Sequence, residues 1–116
     1  MQRTLIKDLP RHIGEEVKVQ GWLQTLRDQK SMQFLILRDK TGLVQVAHWK
    51  KGNPELAETI SKLGTESALT IVGKVVANEV VRLGGLEIQL EDLKVEGLAE
   101  TPLPFDPFGE VLPDQD

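Results

Sequence analysis

The residues whose types and spacing could do chemistry cluster in Gly21–Val46, GWLQTLRDQKSMQFLILRDKTGLVQV, with one more candidate downstream at Glu87. Phe34 offers a flat apolar ring. If Leu35 and Leu37 fill a core, Phe34, Ile36 and Arg38 must point the other way, because successive side chains of a strand alternate faces. An outward ring on such a strand is a stacking platform for an unpaired base, worth about 1–3 kcal/mol per base. Both faces of Met32–Arg38 are apolar, so pattern alone leaves the opposite assignment open, with Phe34 inside and the leucines outside. Gln45 takes the face opposite Val44 and Val46. Its amide carries donors and an acceptor, which suits a base edge better than a phosphate, although a lone surface glutamine needs no function. Glu87 lies on the polar face of the Leu86–Glu91 alternation. A carboxylate repels phosphate, so on an RNA-binding surface it must accept hydrogen bonds from a base, and guanine presents N1–H and N2–H2 together. The plain alternative is an exposed strand charge. Arg27 and Lys30 fall in the loop expected after the first strand, within reach of backbone phosphate or base edges. Trp22 reads as packing under the loops, and His48 and Trp49 as surface packing around Lys50 and Lys51.

Other chemistries lack their residues. The 116-residue chain has no cysteine, which excludes disulfides, thiolate zinc sites and thiol catalysis, and its two histidines are too few for a metal cage. No Ser/His/Asp arrangement, phosphate-cradling glycine loop or HExxH motif is present. No catalytic residue and no metal site is therefore expected, and Asp39 and Glu87 read as solvated turn and strand charges rather than an acid/base pair. No apolar run approaches the roughly 20 residues of a membrane span, and the N-terminus lacks a signal-peptide core. The expectation is a soluble, cytoplasmic domain without a membrane partner. The net charge of −4 argues against a polyanionic partner, but its distribution does not. Residues 1–52 hold ten Lys/Arg against five Asp/Glu, whereas residues 53–116 hold four against thirteen. A basic N-terminal half is hidden in the sum, and local fields steer polyanions.

The elements that must position these residues are mostly strands, since apolar residues recur with period two. Strands are predicted from Val17, over Met32–Arg38, Leu43–His48, Ala68–Val76 and from Leu86 until the pattern fades after Val95. Gly21 marks a bend or bulge in the first. Asp39–Gly42 and Gly84-Gly85 supply turns, Gly42 being able to take positive φ. One helix of about ten residues interrupts: Asn53 caps it, Pro54 fits its first position, Leu56, Ile60 and Leu63 form its apolar stripe and Gly64 stops it. Five short strands avoid exposed edges by closing. With one helix between strands three and four, the order is that of an all-β, five-stranded Greek-key OB-fold barrel. An SH3-like barrel or an open sheet are the alternatives. Residues 1–97 form this domain. Residues 98–116, with Pro102, Pro104, Pro107 and Pro113 among acidic residues, read as an extended linker.

These residues also resemble a known family. GW at Gly21-Trp22, RD at Arg27-Asp28, F-x-x-x-R-D at Phe34–Asp39 and G-x-V-Q-V at Gly42–Val46 are similar to the N-terminal anticodon-binding domain of aspartyl-tRNA synthetases, class IIb enzymes, in their archaeal-type branch. G-L-E-I at Gly85–Ile88 and A-E-T-P-L-P-F-D-P at Ala99–Pro107 extend the resemblance, the latter to the family's hinge. The resemblance implies that Phe34 stacks the middle anticodon uracil, Gln45 hydrogen-bonds anticodon bases, Glu87 reads the first-position guanine and Arg27 contacts the loop. Lys30, by its place in the expected loop, and Thr25 and Gln24 are candidates for further RNA contacts. Thr25 and Gln24 stand where some members carry arginines or a bulky aromatic; the base concerned separates aspartate from asparagine tRNAs, so relaxed recognition of both is open. The implied partner is tRNA(Asp), with tRNA(Asn) as second. The domain itself needs no cofactor; ATP and magnesium belong to a class II catalytic domain beyond the hinge, which would also build a homodimer. A fragment of such a ligase is expected. An asparaginyl-tRNA synthetase domain and a free-standing single-strand-binding module are the alternatives.

Overall fold

The computed structural model describes residues 2–97. Five strands, β1 (Glu16–Asp28), β2 (Met32–Asp39), β3 (Gly42–Trp49), β4 (Ala68–Ala77) and β5 (Leu86–Gly97), surround the core, and helix α1 (Pro54–Ser61) lies between β3 and β4. Two short 3-10 turns, Ile6–His12 and Lys50–Gly52, complete the described residues' helical elements. The strands close into a barrel in the order β1-β2-β3-β5-β4, and β4 returns to β1. Every pairing is antiparallel except β3 with β5, which runs parallel over three residue pairs. This is the five-stranded OB barrel expected from the order of elements.

Closure requires sharply bent strands. β1 serves two neighbours, pairing β4 through Glu16–Trp22 and β2 through Trp22–Asp28. At the changeover Gly21 approaches β2 so closely that a Cβ would run into the Arg38 carbonyl oxygen, and Gly73 lies equally close to the Gln89 carbonyl. Register shifts, which bend and twist a strand, leave Gln24 as an extra residue in β1 and Glu91 and Glu96 as extra residues in β5. These extra residues explain why alternation fades late in the sequence although β5 continues to Gly97. β1 is likewise longer than expected. Its pairing runs on through Arg27↔Phe34 and Asp28↔Gln33, so Arg27 stands on a strand rather than in the loop, and Lys30 alone of the two occupies the hairpin turn.

Leu35 and Leu37 are fully buried with Leu23, Val19, Val44, Val46, Leu69, Ile71 and Ile88, which decides the face of β2. Helix α1 closes one end of the barrel with Leu56 and Ile60. The Asn53 side chain accepts the Leu56 N–H at 3.1 Å, and Pro54 opens the helix. The helix is eight residues long, ending before Leu63, and the left-handed residue beyond it is Glu66 (φ 68°) rather than Gly64. Beneath α1 lies a polar pair. Gln33, wholly buried, donates to the Ala57 carbonyl at 2.9 Å and bonds His48 Nδ1 at 3.0 Å. His48 is thus a buried residue and not surface packing, and burial pushes its pKa below the usual imidazole range.

At the other end the Ile6–His12 turn inserts Ile6 and Leu9. Asp39 anchors it. One carboxylate oxygen accepts the Ile6 N–H at 2.9 Å; the other accepts from the Thr41 N–H at 2.7 Å, the Thr41 hydroxyl at 2.6 Å and the Gly42 N–H at 3.1 Å. Asp39 is therefore a buried turn-former rather than a solvated charge, and its carboxylate does what a positive φ at Gly42 was expected to do; among the described residues the left-handed glycines are Gly14, Gly84 and Gly85. No helix among the described residues is long and apolar enough to cross a membrane. The linker at residues 98–116 lies outside the described residues.

Candidate nucleic-acid interface

Residues directly opposite in a ladder project to the same side, so the register fixes the outer wall of the barrel. Because Leu35 and Leu37 point inward, Phe34 and Ile36 point outward, and Phe34 is half-buried on that wall. One row across it reads Arg27 on β1, Phe34 on β2, Ala47 on β3 and Gln89 on β5. The next reads Thr25, Ile36, Gln45 and Glu87. The structure thus brings Phe34, Gln45, Glu87, Arg27 and Thr25 onto one continuous face of four strands. Gln24 is the exposed bulge residue beside the second row, and Lys30 is exposed at the tip of the β1–β2 hairpin.

Gln45 and Glu87 touch. Gln45 Nε2 donates to Glu87 Oε1 at 3.1 Å, and Asn78 Nδ2 donates to the same oxygen at 3.2 Å. Oε1 thus already accepts two bonds, and Oε2 has no hydrogen-bond partner among the described residues. Glu87 is held in place, not a loose strand charge. Asn78 is the residue that sequence reasoning missed. Its side-chain oxygen accepts the Val80 N–H at 3.3 Å while its backbone N–H reaches the Gly85 carbonyl at 2.9 Å, so the β4–β5 turn aims the amide at Glu87. Counting the hairpin back from Gly84-Gly85 places Asn78 on the face of Glu87, a signal present in the sequence.

The charges around this face are sorted. Lys50 pairs Asp28 at 2.6 Å, and that ammonium holds the Asp28 carboxyl below its ordinary pKa. The acid next to Arg27 is thereby neutralised. Arg38 forks onto Glu66. Among the described residues Arg27, Lys30 and Lys51 have no ion-pair partner, which leaves three cations around the aromatic row. An aromatic ring, a fixed acceptor with two neighbouring amides and a fringe of uncompensated cations can together stack a base, read its pairing edge and hold its phosphates.

The OB-fold nucleic acid binding domain family matches residues 17–96, nearly the whole of the barrel. The chain belongs to that family of OB-fold nucleic acid binding domains. Within it, its relatives are aspartate– and asparagine–tRNA ligases. The chain is 44% identical over 100 residues to the asparagine–tRNA ligase of Desulforamulus reducens, covering 86% of this chain and 23% of that protein. It is 40% identical over 108 residues to the aspartate–tRNA(Asp/Asn) ligase of Methanopyrus kandleri, covering 92% and 25%. The asparaginyl-tRNA synthetase of Pyrococcus horikoshii complexed with asparaginyl-adenylate superposes with a TM-score of 0.79 at 33% identity, over 92% of this chain and 25% of that one. The chain is an OB domain of the aspartyl/asparaginyl-tRNA synthetase kind, and it spans about a quarter of the length of the relatives it matches.

Proposed function

We propose that this chain reads the anticodon loop of tRNA(Asp) on behalf of an aspartate–tRNA ligase. The observation that carries the reading is the adjacency of the Phe34 row and the Gln45–Glu87–Asn78 cluster on one wall of the barrel. The middle anticodon base stacks on Phe34, and the first-position guanine places its N1–H and N2–H2 on Glu87. Oε1 already accepts from both amides, so bidentate capture of guanine competes with them for that oxygen. Gln45 is the one that turns, which frees its Nε2 and Oε1 for the neighbouring base, while Asn78 stays with the β4–β5 turn. Arg27, with Lys30, holds the loop backbone, and Thr25 and Gln24 line the path of the third base.

Titration at fixed salt tests this. The chain should bind an anticodon stem-loop carrying GUC more tightly than one with a scrambled loop. Indifference to loop sequence, with affinity set by strand length, would make it a general single-strand module instead. A second reading, acceptance of tRNA(Asn), is favoured by the 44% identity to an asparagine–tRNA ligase and the 40% identity to an Asp/Asn ligase. Equal affinity for loops differing only in a C or U at the third position supports it. On the leading reading the parent ligase joins aspartate to tRNA in the cytoplasm, using ATP and magnesium in a catalytic region reached through the hinge at 98–116. That region also makes it a homodimer, and the OB domain itself holds no cofactor.

A further inference from the structure

Of the basic N-terminal half, the anticodon-loop reading employs Arg27, Lys30 and Lys51, and Lys7, Arg11 and Lys40 have no part in it. The fold gathers these three at the mouth of the barrel opposite α1 and adds Arg82 from the acidic half. Lys7 and Arg11 stand on the Ile6–His12 turn, and Lys40 on the turn between β2 and β3. The two turns are tied together: the Thr41 hydroxyl accepts the Lys7 N–H at 3.0 Å, and Asp39 accepts the Ile6 N–H at 2.9 Å. Arg82, in the β4–β5 loop, lines the same cleft of about 490 Å³ as Lys7 and Thr41. All four cations are exposed, and none has an ion-pair partner among the described residues. The acids on these elements are Asp8, Asp39 and Glu79, and Asp39 is buried with both oxygens committed to the turns. Four outward cations therefore stand against two remaining carboxylates.

The lining of this mouth selects its ligand. Apart from the two cations, the cleft's side chains are apolar, Leu9, Leu43 and Leu86 among them, and the Thr41 hydroxyl is already spent on Lys7 and Asp39. No amide or carboxylate is aimed there to read a base edge. Cations set among apolar groups suit the phosphodiester backbone, whose charge is the same for every sequence. Position decides which stretch of backbone. Arg82 belongs to the loop whose Asn78 holds Glu87, and Gly42, beside Thr41, is three residues from Gln45, roughly 10 Å at about 3.3 Å per residue. In the reading proposed above, the bases cross the wall from Glu87 on β5 to Phe34 on β2 to Thr25 on β1. The nucleotides that precede the first base therefore leave the wall by the β4–β5 loop. We infer that the mouth of the barrel is a second, sequence-independent RNA surface, where Arg82, Lys7 and Lys40 hold phosphates of the nucleotides 5′ of the anticodon. The inference rests on the anticodon-loop reading, which sets the direction of the strand.

The test uses the whole chain and single strands that carry GUC, titrated across salt concentrations. One strand is extended by about five nucleotides on the 5′ side of GUC, the other by the same nucleotides on the 3′ side. K7A/K40A/R82A should flatten the slope of log K against log salt by about 2 for the 5′-extended strand, at about 0.7 per phosphate for three contacts. It should leave the slope for the 3′-extended strand, and the preference for GUC over a scrambled triplet, as they are. K62A/K94A, which removes two exposed cations from the far end of the molecule, should change neither slope. All five positions are exposed, so the thermal midpoints should stay with that of the unchanged chain. An unaltered slope in K7A/K40A/R82A, an equal loss on both strands, or the same loss in K62A/K94A overturns the inference while GUC is still preferred and F34A still weakens binding. A chain indifferent to GUC, with F34A also without effect, overturns the anticodon reading and this inference with it.

Discussion

Phe34 and Leu35 are neighbours in sequence with opposite fates, and paired substitutions separate them. Phe34 is half-buried on the outer wall, so Phe34→Ala should weaken stem-loop binding by about 1–3 kcal/mol and leave the thermal midpoint nearly unchanged. Leu35 is fully buried, so Leu35→Ala should cost about 2–5 kcal/mol of stability through the cavity it leaves. Denaturation and binding curves on the two variants decide between an outward and an inward Phe34; unfolding by the first would contradict the register. Glu87 acts through its acceptor oxygens, and Glu87→Gln turns one into a donor. Preference for guanine at the first position should fall by about 1–3 kcal/mol, more than overall affinity falls. Uniform weakening across loops with different first bases would assign Glu87 a structural role through Asn78 and Gln45 instead.

At the level of elements, each end of the barrel is sealed by a polar device. Under α1, the His48–Gln33–Ala57 chain is buried and works with a neutral imidazole, since burial holds the His48 pKa below 6.5. In the unfolded chain this group titrates near its ordinary value. Between the folded value and about 6.5 the unfolded state therefore binds more protons, and stability rises with pH across that window. Acidification from pH 7 through this window should lower Tm, and His48→Gln should remove that part of the pH dependence; an unchanged pH profile in the variant would refute the assignment. At the opposite end, Asp39 gathers the Ile6, Thr41 and Gly42 amides. Asp39→Ala leaves these donors unsatisfied, at about 1–3 kcal/mol for such a buried group. Amide hydrogen exchange should accelerate first at Ile6, where the carboxylate ties the N-terminal turn to β2.

For the molecule as a whole, charge is segregated along the chain and only partly compensated in space. The basic half supplies β1, β2 and β3, three of the four strands of the candidate interface, while the acidic half supplies β4, β5 and α1. Arg27, Lys30 and Lys51 fringe the aromatic row without ion-pair partners among the described residues. If these three meet phosphates, log K against log salt should slope by about −2, at about 0.7 per single-strand phosphate contact. Lys30→Ala should lower that slope by about 0.7 without changing base preference, as a titration across salt concentrations measures. A slope near zero would mean that base contacts alone hold the loop. The acidic remainder limits non-specific attraction, because a phosphate backbone laid along the far half of β5 would meet the exposed Glu91 and Asp92.

Much of this was legible before folding. Period-two alternation located all five strands, the Asn53-Pro54 pair located α1, and the order of elements named the barrel. Period two fixes which residues share a face of one strand, because alternation is a property of local backbone geometry. It does not fix which face is inside when both are apolar, as in Met32–Arg38, nor how strands are registered against each other. The longer β1 that lifts Arg27 out of the loop, the bulges at Gln24 and Glu91, and the burial of His48 and Asp39 all depend on partners far away in sequence. So does the site itself. Gln45 and Glu87 are 42 residues apart and meet only because β3 and β5 run parallel to close the barrel. Residue types and local spacing set what each side chain could do; long-range pairing, which no local pattern encodes, decided which of them act together.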